Sequence, residues 1–158
     1  PLIVIGPDWH FSILELILVN GAFSSLLYFT GKEHFVLFYC GLVVCLCQNL
    51  FFFLTACLNP GLPPRNVENH KKAYIQKVKV LSPHLSCNKC KVIFREDQPT
   101  EHCPDCNYCV EELDHHCPWS SKCIGRSNMK VFAIYVTLTS FSIIYVFSSL
   151  VMLLMMVQ

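Results

Sequence analysis

Three long apolar runs constrain the fold of this chain more than any other feature. They cover residues 11–29, 35–58 and 131–157, and the second and third carry no Asp, Glu, Lys or Arg. A helix needs about 20 consecutive apolar residues to cross the hydrocarbon core of a bilayer, and each run meets or approaches that length. The sequence therefore predicts an α-helical polytopic membrane protein, with Glu15 and Asn20 in the first of its three transmembrane helices.

The connections between these runs differ in length. Residues 30–34 form a short link, which predicts an antiparallel hairpin of the first two helices. Asn59-Pro60-Gly61 follows the second run and should end its helix, because proline and glycine interrupt helical hydrogen bonding. A polar stretch then extends to residue 130. We divide it into a connector, residues 59–86, and a cysteine-rich region, residues 87–130.

Basic residues predict the orientation of this loop. Of the 12 Lys and Arg residues, 11 lie between residues 59 and 130, and loops rich in Lys and Arg stay on the cytosolic side. We therefore expect a cytosolic loop, with no indication of whether the membrane is Golgi, endoplasmic reticulum or plasma membrane. Residues 71–81 mix lysines with apolar residues and either lie on an anionic leaflet or form a solvated connector. A net charge of +1 gives no indication of a nucleic-acid partner.

The cysteine pattern of the loop indicates metal binding. Four of the 11 cysteines lie in the second apolar run and are expected to be small buried hydrophobes, while seven lie between residues 87 and 123. Disulfides are rare in the reducing cytosol, and the interspersed histidines favour zinc. The loop offers seven Cys and three clustered His; setting aside one of each leaves eight ligands. Since structural zinc takes four, this is enough for two structural Zn²⁺ ions.

The run Asp114-His115-His116-Cys117 suggests which residues are set aside. Alternate side chains of an extended backbone point to opposite faces. His115 and Cys117 would then share one face, while His116 reaches a metal from the other. A His beside a Cys, with a carboxylate that orients its ring, can activate the thiol as a nucleophile. The alternative, that all of these residues are only zinc ligands, remains open at this point.

This run, set in its cysteine-rich frame, resembles the DHHC family of protein S-acyltransferases, or palmitoyltransferases. The frame continues beyond the run itself through Pro118-Trp119, Cys123, Ile124-Gly125, Asn128 and Phe132. Asn59-Pro60-Gly61 is similar to the family's Asp-Pro-Gly element after the second span. The resemblance implies four transmembrane helices in the full family and a small zinc-bound, cysteine-rich cytosolic domain of short β-hairpins. The fourth span and a Thr-Thr-x-Glu element are absent before Gln158, so we expect this sequence to be part of a longer protein.

The resemblance also implies a role for each site residue. Cys117 would accept the acyl group, His115 would be its general base, and Asp114 would orient that base. The implied zinc ligands are interleaved along the chain: Cys87, Cys90, His102 and Cys109 for one ion, and Cys103, Cys106, His116 and Cys123 for the other.

Further residues are candidates for contacts to acyl-coenzyme A. Trp119 is similar to the family tryptophan beside the acyl chain. The basic residues that are candidates for binding the phosphates are Lys89, Lys91, Arg95, Lys122 and Arg126. The alternative, which the sequence favours for any single one of them, is a solvated surface charge. The chain departs from the family at Thr100, where a basic residue is usual, and at Lys122, where an Asn is usual. Eleven residues separate Cys90 from His102, about two more than is common in the family.

The function that follows is a protein S-acyltransferase. It would take a palmitoyl group from palmitoyl-coenzyme A onto Cys117 and pass it to cysteine thiols of substrate proteins. Such a covalent intermediate predicts ping-pong kinetics. The expected partners are membrane lipid, acyl-coenzyme A and proteins with membrane-proximal cysteines. The alternative is a non-catalytic zinc-ribbon membrane adaptor that binds partner proteins.

Overall fold

The computed structural model describes residues 3–30, 34–63, 86–94 and 97–157 of the 158-residue chain. Most of the predicted connector, including the basic segment 71–81, lies outside the described residues, as does Arg95.

Three helices account for the apolar runs: α1 (Trp9–Thr30), α2 (Phe35–Cys57) and α3 (Met129–Val157). Each is long and apolar enough to cross a membrane. Their outward faces are also apolar, as shown on α3 by Phe141, Ile143 and Phe147, which are all more than 60% exposed. Side chains of this kind are stable at a protein surface that faces lipid. The prediction of three membrane-spanning helices is confirmed, and their ends lie within two residues of the predicted runs.

Helix α2 packs against both α1 and α3. Asn20 of α1 and Asn49 of α2 donate to each other through their side-chain amides, at 3.0 and 3.1 Å. The preceding residue of α2, Gln48, donates through Nε2 to Thr139 Oγ1 of α3 at 3.5 Å. Polar side chains inside a membrane bundle find partners on neighbouring helices because the lipid offers none. These amides therefore connect the three helices.

Three antiparallel hairpins form the cysteine-rich region, which confirms the predicted short hairpins. The strand pairs are β1 (Ser86–Cys87) with β2 (Val92–Ile93), β3 (Thr100–Cys103) with β4 (Tyr108–Glu111), and β5 (His115–Cys117) with β6 (Lys122–Ile124). A 3₁₀ turn, Pro118–Ser120, connects the last two strands.

The hairpins enclose only a small apolar core. Five of its eight buried apolar residues in the described part of the hairpins are cysteines; the eight are Cys87, Val92, Cys103, Cys109, Val110, Cys117, Cys123 and Ile124. Small domains with so little buried apolar surface usually need a metal or a disulfide to stay folded. The region therefore depends on what its cysteines bind.

Residues 3–8, which we call the N-terminal segment, join the hairpins to the helices. Val4 N donates to Cys57 O at the end of α2 at 2.9 Å, and Gly6 N donates to Ser121 Oγ at 3.3 Å. A Cβ on Gly6 would lie only 1.9 Å from the Ser121 carbonyl oxygen, so the close approach requires glycine here. The segment thus fixes the β5–β6 hairpin beside the ends of α1 and α2.

Candidate metal centres and catalytic site

Eight Cys and His side chains converge in two groups of four. The first cluster consists of Cys87, Cys90, His102 and Cys109, and the second cluster of Cys103, Cys106, His116 and Cys123. Within each cluster the ligand atoms lie within 4.8 Å of one another. These are the two sets that the family resemblance implies.

The distances in both clusters suit a tetrahedral zinc ion. His102 Nδ1 lies 3.2, 3.7 and 3.8 Å from the sulfurs of Cys90, Cys87 and Cys109. His116 Nδ1 lies 3.2, 3.6 and 3.7 Å from those of Cys106, Cys103 and Cys123. Zinc bonds of about 2.3 Å to sulfur and about 2.0–2.1 Å to nitrogen place the two ligand atoms about 3.6 Å apart in a tetrahedron. Each cluster can therefore hold one zinc ion.

The thiols of the second cluster alter one another's acidity in a way that agrees with a metal site. No disulfide joins two cysteines among the residues that the structure describes. In the second cluster, the hydrogen bond from the Cys123 thiol lowers the pKa of Cys106 to about 5, although burial acts in the opposite direction. The same contact raises the pKa of Cys123. Two thiols this close share one proton, because two thiolates would repel each other. A bound cation would replace that proton and stabilise both thiolates, as expected of metal ligands.

Strand β5 separates its side chains as the alternation of an extended backbone requires. His116 directs Nδ1 into the second cluster. His115 instead places Nδ1 2.7 Å from Oδ2 of Asp114, which leaves its Nε2 for exchange of a proton. The His115 ring also lies edge-on to Phe132 of α3, with 5.2 Å between ring centroids.

The two clusters found among the described residues include every cysteine of this region except Cys117. It is 8% exposed and pairs with Lys122 across the β5–β6 hairpin. The 3₁₀ turn that follows lies against the start of α1: Ser12 Oγ donates to Trp119 O at 2.8 Å. The Trp119 and Phe11 rings are 5.7 Å apart. Cys117 therefore lies where the hairpins meet the helix ends, with the half-exposed Trp119 beside it.

Lys122 does not suit its predicted role in phosphate binding. Its side chain is completely buried, and its ammonium donates to Val4 O at 2.7 Å and to Leu58 O after α2. Burial lowers the pKa of Lys122 to about 8. The prediction was wrong because the two backbone carbonyls, which hold the ammonium away from solvent, come from distant parts of the chain.

The other residues predicted to contact phosphate differ in exposure, backbone conformation and charged neighbours. Lys89 is exposed in the turn of the first hairpin. Lys91 has a left-handed backbone (φ 56°) in the same turn. Arg126 lies near two carboxylates, with Nη1 3.6 Å from Glu111 Oε2 and Nε 3.7 Å from Glu112 Oε1. Acyl-coenzyme A contacts by Trp119, Lys91 and Arg95 thus stay predictions.

Sequence reasoning missed Asp8 altogether. Its Oδ2 lies 2.7 Å from Nε2 of His116, on the side of the ring opposite the second cluster. The two residues are 108 positions apart, and no local spacing marks a lone Asp before an apolar run as a partner of a distant histidine.

The fold and the two clusters together define a class: helices able to span a membrane that carry a module of short hairpins with two clusters able to hold zinc. A family model described as DHHC palmitoyltransferase matches residues 80–158, which is half of the chain. The chain therefore belongs to the DHHC palmitoyltransferase family.

Curated relatives from distant organisms match as well. Palmitoyltransferase ZDHHC7 of Mus musculus is 33% identical over 66% of this chain and 33% of its own length. The Putative ZDHHC-type palmitoyltransferase 1 of Dictyostelium discoideum is 32% identical over 61% of this chain and 24% of its own. Protein S-acyltransferase 8 of Arabidopsis thaliana is 29% identical over 63% and 30%. The chain thus spans between about a quarter and a third of the length of these relatives.

Proposed function

We propose that this protein is a protein S-acyltransferase that carries the acyl group on Cys117 as a thioester. The observation that carries the proposal is the contact of His115 with Asp114 beside a cysteine that neither metal cluster uses. A thiol that served only as a zinc ligand would belong to one of the two clusters. The family membership and the names of the relatives support the same reaction.

The chemistry divides into two acyl transfers. His115 takes the proton of Cys117 while Asp114 holds the imidazole in the tautomer that leaves Nε2 unprotonated. The thiolate attacks the carbonyl of palmitoyl-coenzyme A. A new carbon–sulfur bond forms, the old thioester bond breaks, and coenzyme A leaves as a thiol after taking the proton from His115. A substrate cysteine then repeats the attack on acyl-Cys117 and restores the free enzyme.

The zinc ions are structural in this proposal. Four protein ligands fill each tetrahedral site, whereas a catalytic zinc keeps a position open for water or substrate. When bound, the ions supply cross-links between hairpins and no reacting atom. The ligands His116 and Cys123 lie on the two strands of the hairpin that contains Cys117, so the second cluster fixes the reacting thiol.

The amphipathic donor suits a site at the ends of membrane helices. We propose that the acyl tail enters the apolar helices beside Trp119, while the coenzyme A head stays in the cytosol near Lys91 and Arg95. The same placement would favour substrate proteins whose cysteines lie close to the membrane. The cytosolic orientation rests on the distribution of basic residues in the loop.

One labelling experiment tests the proposal. The purified protein is incubated with labelled palmitoyl-coenzyme A, the label is tested for release by hydroxylamine, and the modified residue is identified by mass spectrometry. We expect Cys117→Ser to abolish the label while it keeps two zinc ions per chain. Cys40→Ser, at an exposed thiol of α2, is the matched control and should keep the label. Intact zinc without acyl-Cys117 for any acyl-coenzyme A would instead support the zinc-ribbon adaptor.

A further inference from the structure

We propose that Asp8 is a positioning residue for the second cluster: its carboxylate holds the His116 ring so that Nδ1 faces the metal. The N-terminal segment would then be part of this metal site, although it contributes no ligand.

The geometry of the His116 ring supports this assignment. Nδ1 faces the three sulfurs of the second cluster at 3.2–3.7 Å, and Nε2 lies 2.7 Å from Asp8 Oδ2. The two side chains are only 14% and 25% exposed, so water competes weakly for the contact. A zinc-bound histidine commonly donates its second ring N–H to a carboxylate, which fixes the tautomer and strengthens the nitrogen as a ligand.

The position of Asp8 does not depend on this side-chain contact alone. Its backbone N–H donates to Ser121 O at 3.3 Å, and its own carbonyl accepts from Phe11 N at 3.0 Å in the first turn of α1. Gly6 and Val4 hold the preceding residues against the β5–β6 hairpin and α2. The carboxylate is therefore presented to His116 by backbone that is itself fixed.

The first cluster offers an internal comparison. His102 faces its three sulfurs at the same range of distances, yet its Nε2 is buried and has no hydrogen-bond partner among the described residues. The two histidines thus occupy equivalent positions in their clusters, and among the described residues only His116 has a carboxylate at its second ring nitrogen. An effect of Asp8 should therefore be confined to one of the two ions.

Zinc release tests the proposal without depending on activity. The full chain is purified in detergent with two zinc ions, and their transfer to a colorimetric chelator is followed in time. We expect Asp8→Ala to speed the release of one ion by about 10- to 100-fold, the usual cost of removing such a partner. The second ion should leave at the wild-type rate. Asp8→Asn keeps the shape and an acceptor oxygen but loses the charge, and we expect an intermediate rate.

Two further variants separate positioning of the ring from attachment of the segment. Ser121→Gly removes the hydroxyl that binds Gly6 N and suits the left-handed backbone at this position (φ 68°); it should leave zinc release unchanged. In a His116→Cys background no ring needs to be oriented, so Asp8→Ala should have no effect there. Glu101→Ala, at an exposed acidic residue of β3, controls for loss of charge.

Three results would overturn the proposal. The first is zinc release at the wild-type rate in both Asp8→Ala and Asp8→Asn. The second is faster release of both ions together in Asp8→Ala. The third is release from Ser121→Gly as fast as from Asp8→Ala. In the last case the segment would act only through its attachment. Each outcome is independent of acyl transfer, so it stands whether or not Cys117 carries an acyl group.

Discussion

The two metal clusters have the same ligands, three cysteines and one histidine, and nearly the same distances, yet their surroundings differ. The first cluster takes two ligands from the turn region of β1–β2, whose strands are two residues long. The second takes His116 and Cys123 from the hairpin that also contains Cys117. In the second cluster, Nε2 of His116 lies 2.7 Å from Oδ2 of Asp8. In the first cluster, Nε2 of His102 is buried and has no hydrogen-bond partner among the described residues.

This difference indicates that two sites with the same kinds of ligands can have different roles in the protein. Either cluster can bind zinc, because the distances suffice for that. The hairpin that holds His116 and Cys123 of the second cluster is connected to the helix ends through Asp8, Ser121 and the ammonium of Lys122. Strand β4, which holds Cys109 of the first cluster, is connected to the chain after α2, where Glu111 N donates to Gly61 O at 2.8 Å. We therefore expect the first ion to stabilise its own hairpins and the second to determine where Cys117 lies relative to the membrane.

The largest expected effect comes from removing one ligand of each cluster. Cys123→Ser should lose the second ion and abolish acylation of Cys117. Structural zinc contributes about 10–16 kcal/mol of apparent binding free energy in small zinc-dependent folds, so a hairpin with a small core cannot stay ordered without it. Cys90→Ser should lose the first ion and keep measurable acylation. Zinc content by mass spectrometry and labelling with palmitoyl-coenzyme A measure both outcomes.

The two variants control for each other, since both remove one thiolate from a similar site. Equal loss of acylation in both would contradict the separation of roles. It would mean that the interleaved ligands of β3–β4, where His102 and Cys103 are neighbours, make the two clusters a single cooperative unit.

A smaller effect is expected at Lys122, which connects the second cluster to the helices. Lys122→Met keeps the length and the apolar stem but leaves Val4 O and Leu58 O without their donor. A buried polar group that loses its partner costs about 1–3 kcal/mol, so the unfolding midpoint in detergent should fall. Zinc stoichiometry should stay at two per chain, because the sulfur of Cys123 is not touched. An unchanged midpoint would show that the cost of burying the ammonium offsets the gain from its hydrogen bonds.

Much of this arrangement could be predicted from the sequence, but the connections between distant segments could not. The three helices follow from apolar runs free of charge, and the strand alternation of β5 separates His116 from His115. Spacing gives the number of zinc ligands and not their partition, because interleaved clusters have the same local motifs as consecutive ones; the partition came from the family resemblance.

The surroundings of Asp8 and Lys122 could not be predicted from the sequence. Lysine is almost never fully buried, so the sequence favours an exposed residue at position 122. Its burial depends on carbonyls that approach it only in the folded chain, from 118 and 64 positions away. The contact of Asp8 with His116 depends on the same tertiary approach.

The smallest effect is expected at Arg126. It tests whether an ion pair on the surface of the hairpins contributes to the stability of the second cluster. Its guanidinium is about half exposed and lies 3.6–3.7 Å from Glu111 and Glu112, and exposed ion pairs contribute about 0–1 kcal/mol. Arg126→Met should therefore leave zinc release and the unfolding midpoint close to those of the wild type. The backbone N–H of Arg126, which donates to Glu111 O at 3.0 Å, is retained in the variant. Because its carboxylate partners already neutralise this guanidinium, the KM for palmitoyl-coenzyme A should also be unchanged. A raised KM with normal zinc content would instead make Arg126 a phosphate contact, and the ion pairs would then be exchanged for the substrate on binding.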